Sequence, residues 1–468
     1  MTLVARMAAS EAGNASDQVS LPGGWRDRAP PKVTVPAATA IVVANMIGVG
    51  VYTSLGFQVQ DIPSGFSILL LWVIGGLVAL CGAFAYAELG AMFPRSSGEY
   101  NLLSRAFHPA VGFTAGFVSA TVGFAAPVAL AAMAFGRYGQ TVFPGLPSTV
   151  LAVGVVWLAS LVQLGGVKHS ASFQLVSTIL KVGLIAAFLV AGIALPSRQP
   201  INFMPGVADV GYITSGPFAI GLVFVMYAFS GWNAATYIIG EMHAPERNLP
   251  RALLAGTLMV LVLYVALNAV FLLSVPIDRL AGQLQVASIA GSHIFGELGG
   301  RLVAAMICIG LVPSIAAMMW IGPRITMTMG EDVPALALFA RRSRAGAPVY
   351  ALLLQLAVAT LMLFTDSFEA VLDFIQFSLL ACSFLTVLGL FKLRITHADM
   401  ARPYRAWGYP VTPAVFLLVT GFMMYYLLTQ RPLQAMLGTM VMIAGLLIYL
   451  LAHRRTGRTA FVASPGCE

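Results

Sequence analysis

The chain contains 468 residues, of which 59% are hydrophobic and only 9% are charged, and its mean hydropathy is +0.87. Soluble proteins carry roughly 25% charged residues, so this composition excludes a soluble multidomain enzyme, a disordered chain and a disulfide-built secreted fold. A net charge of +8 would suggest nucleic-acid binding in a soluble protein, but membrane proteins concentrate lysine and arginine in their cytoplasmic segments. We therefore predict an integral membrane protein that lies in a lipid bilayer and binds no nucleic acid.

Both ends of the chain are polar. Residues 1–34 lack the apolar core of a signal peptide and are predicted to form a flexible cytosolic arm, and residues 453–468 a cytosolic tail. The four cysteines do not have metal-ligand spacing, so the sequence predicts neither a metal site nor another cofactor.

Twelve apolar runs lie between these ends, each close to the roughly 20 residues that cross a bilayer. The runs are near residues 35–57, 65–93, 110–136, 147–166, 172–195, 214–240, 252–275, 298–323, 347–365, 368–392, 411–429 and 433–452. Lysine and arginine concentrate in the loops on the side of the N-terminus, which predicts that both termini are cytoplasmic. The sequence thus predicts an all-α, multi-pass protein of the cell (inner) membrane with twelve transmembrane helices.

The first and sixth runs are interrupted by glycine and small or polar residues. The interruptions read Ile47-Gly48-Val49-Gly50 and Tyr227-Ala228-Phe229-Ser230-Gly231-Trp232-Asn233. Their separation by five spans predicts an inverted repeat, with helices 1–5 in residues 35–195, helices 6–10 in residues 214–392, and helices 11–12 in residues 411–452 outside it. The alternative is that these glycines only allow close helix packing.

Helices broken in mid-membrane could bind a zwitterion through the backbone. The N–H groups that start a second half-helix attract a carboxylate, and the carbonyls that end a first half-helix accept hydrogen bonds from an ammonium group. This arrangement requires no basic or acidic side chain, which agrees with the scarcity of ionisable residues in these two runs.

Four sequence motifs, in this order, resemble those of the amino acid–polyamine–organocation superfamily, and its L-type amino acid transporter branch in particular. They are Ile47-Gly48-Val49-Gly50-Val51, Ser97-Gly98-Glu99-Tyr100, the stretch from Phe229 to Asn233 with Pro245-Glu246-Arg247-Asn248-Leu249-Pro250-Arg251-Ala252, and Arg402-Pro403-Tyr404-Arg405-Ala406-Trp407-Gly408-Tyr409-Pro410. The resemblance implies the five-plus-five inverted-repeat (LeuT-like) fold with helices 1 and 6 broken, and amino acid transport by alternating access.

The resemblance also implies a substrate site. The N–H groups of Ile47, Gly48, Val49 and Gly50 would bind the substrate carboxylate. The carbonyls of Ile47, Tyr227, Ala228 and Ser230 would bind its amino group, next to Gly231. Tyr227 matches an aromatic gate, against the alternative of a core or interfacial tyrosine. Trp232 would line the side-chain pocket or serve packing alone, and Asn233 would help to hold the amino end.

Lys181 lies in the middle of the fifth run, where a charge is costly and therefore marks a functional position. The resemblance implies that its ammonium replaces the sodium ion of sodium-coupled relatives and braces helices 1 and 8. The alternative is a snorkelling or structurally paired lysine. If the match holds, transport is sodium-independent and driven by exchange or by protons.

The predicted function is therefore sodium-independent transport of L-amino acids. Neutral substrates are favoured because no acidic residue lies in the middle of helices 1, 3, 6, 8 or 10, apart from Asp373, which is expected near the end of its helix. A cationic amino acid or polyamine transporter and an amino-acid sensor with the same fold remain alternatives. An enzyme is not predicted, since phosphate-loop, zinc-helix and nucleophile-elbow motifs are absent from the sequence. The loop at 137–148 contains no cysteine, so no disulfide-linked heavy subunit is expected.

Overall fold

The computed structural model describes residues 33–93, 98–164, 171–194, 199–343 and 346–456. Within these ranges the secondary structure is helical, apart from a single β-bridge between Val33 and Met242. The predicted cytosolic arm and tail lie outside the described residues, except for the few positions that adjoin the first and last helices.

The first part of the chain forms eight α-helices and one π-helical turn at Ser119–Gly123. Prolines in the first turn of two of these helices and a capping serine, Ser64, mark where helices begin. The helices are α1 (Val35–Met46), α2 (Gly50–Asp61), α3 (Gly65–Met92), α4 (Glu99–Ala106), α5 (Pro109–Val118), α6 (Ala125–Val142), α7 (Ser148–Leu164) and α8 (Ala171–Ile193).

The second part forms nine further α-helices and two 3₁₀ segments, Ala234–Glu241 and Pro334–Ala340. The longest helix contains a non-helical residue at Gly296 and is therefore two helices joined at a kink. The helices are α9 (Val207–Ile213), α10 (Gly216–Ala228), α11 (Pro245–Ser274), α12 (Ile277–Leu280), α13 (Val286–Asp332), α14 (Val349–Leu363), α15 (Phe368–Thr396), α16 (Val411–Gln430) and α17 (Pro432–Thr456).

Among the described residues, seven helical stretches are long and apolar enough to cross a membrane, or nine if two bent pairs each count as one span. The bent pairs are α1–α2, with an angle of 41°, and α9–α10, with an angle of 68°. Three shorter apolar stretches are Ser148–Leu164, Thr178–Gly192 and Val349–Leu363. The chain is thus an all-helical, multi-pass membrane protein.

Helices α16 and α17 lie at the periphery of the bundle. In the apolar stretch of each of these two helices, only 28% and 22% of the residues are buried inside the protein, against 56–67% for the other long spans. Leu418, Met440 and Leu451 are among their exposed apolar side chains, which are stable in this position because lipid surrounds them. The interior is formed by other helices, with α11 packed against both α1 and α3, and α13 against α6.

A buried ion-pair network joins α3 to α15 and to the loop before α16. The carboxylate of Glu88 is fully buried and accepts hydrogen bonds from Arg394 Nε at 3.0 Å and Arg394 Nη2 at 2.6 Å. It also accepts one from the Ala406 N–H at 2.6 Å. Arg402 lies 3.5 Å from the same carboxylate and donates to four carbonyls, those of Leu393, His397, Ala398 and Met400. The motif 402–410 therefore anchors a loop to the end of α15.

We predict that Glu88→Gln lowers the melting temperature of the detergent-purified protein by several degrees. The substitution removes the buried charge that pairs with two partly buried arginines, and removal of one partner of a buried ion pair costs about 3–5 kcal/mol. The matched control is Glu297→Gln, whose exposed carboxylate lies 3.8 Å from Arg301 and should contribute little. Equal melting temperatures for the two variants would contradict this account of the network.

Candidate functional site

The two interruptions predicted from the sequence lie against each other. A methyl group built on Gly50 would lie 2.6 Å from the Cα of Ala228, and one on Gly231 would lie 3.0 Å from the carbonyl carbon of Asn45. Gly231 also has a φ of +99°, which favours glycine. At both positions glycine is therefore required by backbone contact. Gly48 differs, because a methyl group there would meet nothing closer than the Met46 carbonyl of its own turn, at 3.8 Å.

The first interruption is a short turn between α1 and α2. The Gly48 N–H donates to the Met46 carbonyl at 2.7 Å, and α2 begins at Gly50. The first N–H groups of a helix have no partner within it, so the start of α2 is the part of this turn with positive potential. Ile47 and Val49 are buried.

The second interruption differs from the predicted pair of α-helical halves. Helix α10 ends at Ala228, residues 229–233 form turns, and a 3₁₀ segment follows. The Ser230 N–H donates to the Tyr227 carbonyl at 2.9 Å, and the Ala234 N–H to the Gly231 carbonyl at 2.9 Å. The 68° bend lies earlier, between α9 and α10, because Ser215 caps a new helix there.

Tyr264 of α11 connects the two interruptions, and the sequence analysis did not identify it. Its hydroxyl lies 2.5 Å from the Met46 carbonyl and 3.2 Å from the Ala228 carbonyl, the ends of α1 and α10. The ring is fully buried and packs edge-on against Trp72 and Phe229. A buried tyrosine hydroxyl needs a partner, and a tyrosine in the middle of an apolar run is the signal that could have identified it.

For the amino acid uptake that the sequence resemblance implies, we expect Tyr264→Phe to give about a tenfold reduction while the protein still reaches the membrane. The substitution removes a hydroxyl donor from two buried carbonyls, of which that of Met46 keeps the Gly48 N–H as a partner. Leaving a buried acceptor without a donor costs about 1–3 kcal/mol. The control is Tyr425→Phe, since Tyr425 is exposed on α16. Uptake by Tyr264→Phe at the level of Tyr425→Phe would contradict the proposed role of the hydroxyl.

Lys181 reaches from α8 toward both α1 and α13. Its Nζ donates to Ser314 Oγ at 2.5 Å and lies 3.5 Å from the Ala44 carbonyl, and the side chain is buried. Ala44 is two residues from the end of α1, where helical carbonyls lack partners within the helix. The ammonium group is therefore part of the hydrogen bonding beside the first interruption.

Within the described part of the chain, no cluster of acidic, His or Cys residues could hold a metal ion.

A cavity of about 510 Å³ adjoins the second interruption, a volume within the roughly 300–1,000 Å³ typical of small-molecule sites. Of the predicted site residues, Ser230, Gly231, Trp232 and Asn233 line it, together with Asn45 of α1. The remaining predicted residues lie outside the lining: Ile47, Gly48, Val49, Gly50, Lys181, Tyr227 and Ala228. Other lining residues come from the π-helical turn, from the residue that follows it, and from α13 and α15: Ser119, Gly123, Phe124, Trp320, Arg324 and Gln376.

Trp232 both packs and lines the cavity. Its ring lies 4.8 Å from that of Tyr86, edge-on, and 6.3 Å from that of Phe416. A methyl group on Gly82 would lie 2.9 Å from the Trp232 ring. The indole is therefore held firmly by α3 and α16 and also faces the cavity.

Glu99 is an acidic residue of the cavity lining that the sequence analysis did not select. Its Oε1 accepts hydrogen bonds from Tyr86 Oη at 2.5 Å and Ser383 Oγ at 3.1 Å. Glu99 begins α4, which is not one of the membrane-spanning stretches, and burial raises the pKa of its carboxyl above the usual range. Glu99 lies between two predicted spans, so it was not among the acidic residues considered within the spans.

A second cavity, of about 490 Å³, has no lining residue in common with the first. Arg137, Gln285, Asp366 and Phe368 are among its lining residues. Phe57 stacks on Phe368 and on Phe224, with ring centroids 5.8 and 5.1 Å apart, and Tyr227 meets Phe368 edge-on at 6.3 Å. An aromatic layer of Phe57, Phe224, Tyr227 and Phe368 thus borders the second cavity next to the two interruptions.

The chain matches the family model described as amino acid permease over residues 33–452. It is 26% identical over 445 residues to the cystine/glutamate transporter of Homo sapiens, covering 92% of this chain and 87% of that protein. It is 24% identical over 432 residues to the Asc-type amino acid transporter 1 of Mus musculus, covering 90% and 81%. It is 24% identical over 436 residues to the large neutral amino acids transporter small subunit 2 of Mus musculus, covering 90% and 80%.

Proposed function

Since the chain belongs to the amino acid permease family and is therefore an amino acid transporter, we propose that it carries neutral L-amino acids by alternating access without sodium. The observation that carries this proposal is the direct contact between the two interruptions. The buried Lys181 lies beside the first interruption, and a cavity large enough for an amino acid lies beside the second. The names of the relatives include both cystine/glutamate and large neutral amino acids, so the choice of substrate rests on the lining of the cavity.

The proposed substrate site lies where the start of α2 approaches the residues after α10. The carboxylate would bind the N–H groups of Gly48, Val49 and Gly50, which requires the Gly48 N–H to exchange its bond to Met46 for the ligand. The amino group would bind carbonyls at the ends of α1 and α10, with Asn233 beside it. The substrate side chain would extend into the cavity toward Trp232.

Lys181 is proposed to occupy the position of a coupling cation. Three properties support this role: its ammonium group is buried, it bonds to Ser314 of α13, and it lies next to the Ala44 carbonyl of α1. A fixed positive charge at this point would hold α1 against α13 without a bound ion. We therefore propose exchange or proton coupling in place of sodium coupling.

We further propose that twelve spans are formed by the seven long helices, the two bent pairs and the three shorter apolar stretches. The first ten would form the five-plus-five inverted repeat, with both termini cytoplasmic in the cell (inner) membrane. The aromatic layer that includes Tyr227 would close the substrate site on the side of the second cavity. The absence of cysteine from residues 137–148 favours a chain without a disulfide-linked heavy subunit.

One observation favours a second candidate, the transport of cationic amino acids. Glu99 places a carboxyl group in the cavity lining, and a carboxylate near the substrate side chain is a feature that cationic substrates need. The lack of acidic residues in the middle of the predicted spans therefore does not exclude cationic substrates. An amino-acid sensor with the same fold would bind the same ligands without moving them across the membrane.

The test is uptake of a labelled amino acid panel by proteoliposomes containing the purified protein, in sodium buffer and in choline buffer. We expect uptake of neutral amino acids that is equal in both buffers. Uptake confined to lysine and arginine would favour the second candidate. A requirement for sodium would contradict the role proposed for Lys181, and saturable binding without uptake would favour a sensor.

A further inference from the structure

We propose that Glu99 is a proton-binding site of the cavity and that its proton crosses the membrane together with the substrate. This inference rests on the proposed function and specifies its coupling ion. It begins from the position of Glu99, whose side chain lines the cavity while only 5% of the residue is exposed.

The described residues around Glu99 offer it hydroxyl groups as hydrogen-bond partners. Among the described residues Glu99 forms no ion pair. The polar groups facing it are Tyr86 from α3 and Cys382 and Ser383 from α15. Thr386 of α15 interacts with the Tyr86 hydroxyl. The nearby charges are engaged elsewhere: Glu88 with Arg394 and Arg402, Arg324 over the Trp320 ring, and Asp332 with the Tyr100 hydroxyl.

A proton fits this site better than a substrate cation does. A buried carboxylate without a cation is costly, and protonation removes the cost without requiring additional space. An ammonium or guanidinium group would need access to a carboxyl whose Oε1 already accepts two hydroxyl hydrogen bonds. The cavity that Glu99 lines would supply the route for the proton, and the burial provides the reason for its uptake.

The hydrogen bond from Tyr86 connects this site to the second interruption. The Tyr86 hydroxyl donates to Glu99 Oε1, and the Tyr86 ring meets the Trp232 ring edge-on at 4.8 Å. A hydroxyl binds an ionised carboxylate more strongly than a neutral carboxyl. Protonation of Glu99 would therefore loosen Tyr86, and with it the packing that holds Trp232 beside the substrate site.

The test uses proteoliposomes containing the full chain and the neutral amino acid that the vesicles exchange best. For the wild type, an inwardly directed proton gradient should drive accumulation into vesicles that contain no amino acid. Glu99→Gln should reduce this accumulation at least tenfold, and its exchange should no longer vary with pH. Glu297→Gln, which alters an exposed acid, is the matched control.

Tyr86→Phe provides a second test that does not require removal of the acid. The hydrogen bond from Tyr86 stabilises the ionised form, so its loss should raise the pH midpoint of transport by about one unit. Gradient-driven accumulation by Glu99→Gln at the wild-type level would overturn the inference, as would an unmoved midpoint in Tyr86→Phe. Exchange without gradient-driven accumulation in the wild type would overturn this inference alone, whereas absence of both activities would overturn the proposed function.

Discussion

Lys181→Ala is expected to reduce amino acid uptake at least tenfold, with normal delivery of the protein to the membrane. The substitution removes a buried charge that bonds to Ser314 at 2.5 Å and lies 3.5 Å from the Ala44 carbonyl. A hydrogen bond to a charged group contributes about 1.5–3 kcal/mol, and each 1.4 kcal/mol is about a factor of ten in an equilibrium constant. The expected defect is therefore in the equilibrium between the conformations that transport requires, because α1 loses its attachment to α8 and α13.

The control for this experiment is Lys392→Ala. Lys392 lies over the Phe107 ring with Nζ 4.8 Å from its centroid, outside the substrate site, and its removal should leave most of the uptake intact. Ser314→Ala should show an intermediate defect, because the ammonium group keeps the Ala44 carbonyl as a partner. Wild-type uptake by Lys181→Ala would remove this residue from the transport mechanism and would favour a purely structural lysine.

Gly50→Ala is expected to abolish uptake, whereas Gly48→Ala should retain it. A methyl group on Gly50 would lie 2.6 Å from the Ala228 Cα, a backbone atom that can move only if α2 and α10 separate. A methyl group on Gly48 meets no neighbouring segment within 4 Å, and alanine keeps the backbone N–H proposed to bind the substrate carboxylate. The comparison uses two glycines of one motif that differ only in their surroundings.

Uptake and melting temperature should be measured for both glycine variants. We expect Gly50→Ala to lower both quantities, since overpacking of a tight contact typically costs about 1–3 kcal/mol. Equal activity of the two variants would contradict the view that contact between the interruptions determines the site. A selective loss in Gly48→Ala would indicate that this turn needs the conformational freedom of glycine during transport.

The sequence predicted the membrane class and the all-helical fold, because both depend on local features of the chain. Apolar runs identify helices, and the small residues around Gly50 and Gly231 mark places where segments approach closely. The sequence could not distinguish ligand binding from packing at these glycines. That distinction depends on which backbone lies opposite each Cα, and Gly48 and Gly50 differ in this respect although they are two residues apart.

The residues that the sequence analysis missed are those whose role depends on another segment. Tyr264 is informative only when the carbonyls of Met46 and Ala228 are brought within reach of its hydroxyl. Glu99 lies between two predicted spans, and its burial results from packing against α3 and α15. The 3₁₀ form of residues 234–241 was likewise not predicted, since apolar composition favours a helix without specifying its type.

Counterflow tests the central claim most directly. Proteoliposomes would be preloaded with an unlabelled neutral L-amino acid and compared with empty vesicles, without sodium and without a proton gradient. We predict that labelled amino acid enters the preloaded vesicles faster than the empty ones, and that Lys181→Ala removes the difference. Equal uptake by preloaded vesicles, empty vesicles and protein-free liposomes would contradict a sodium-independent amino acid transporter.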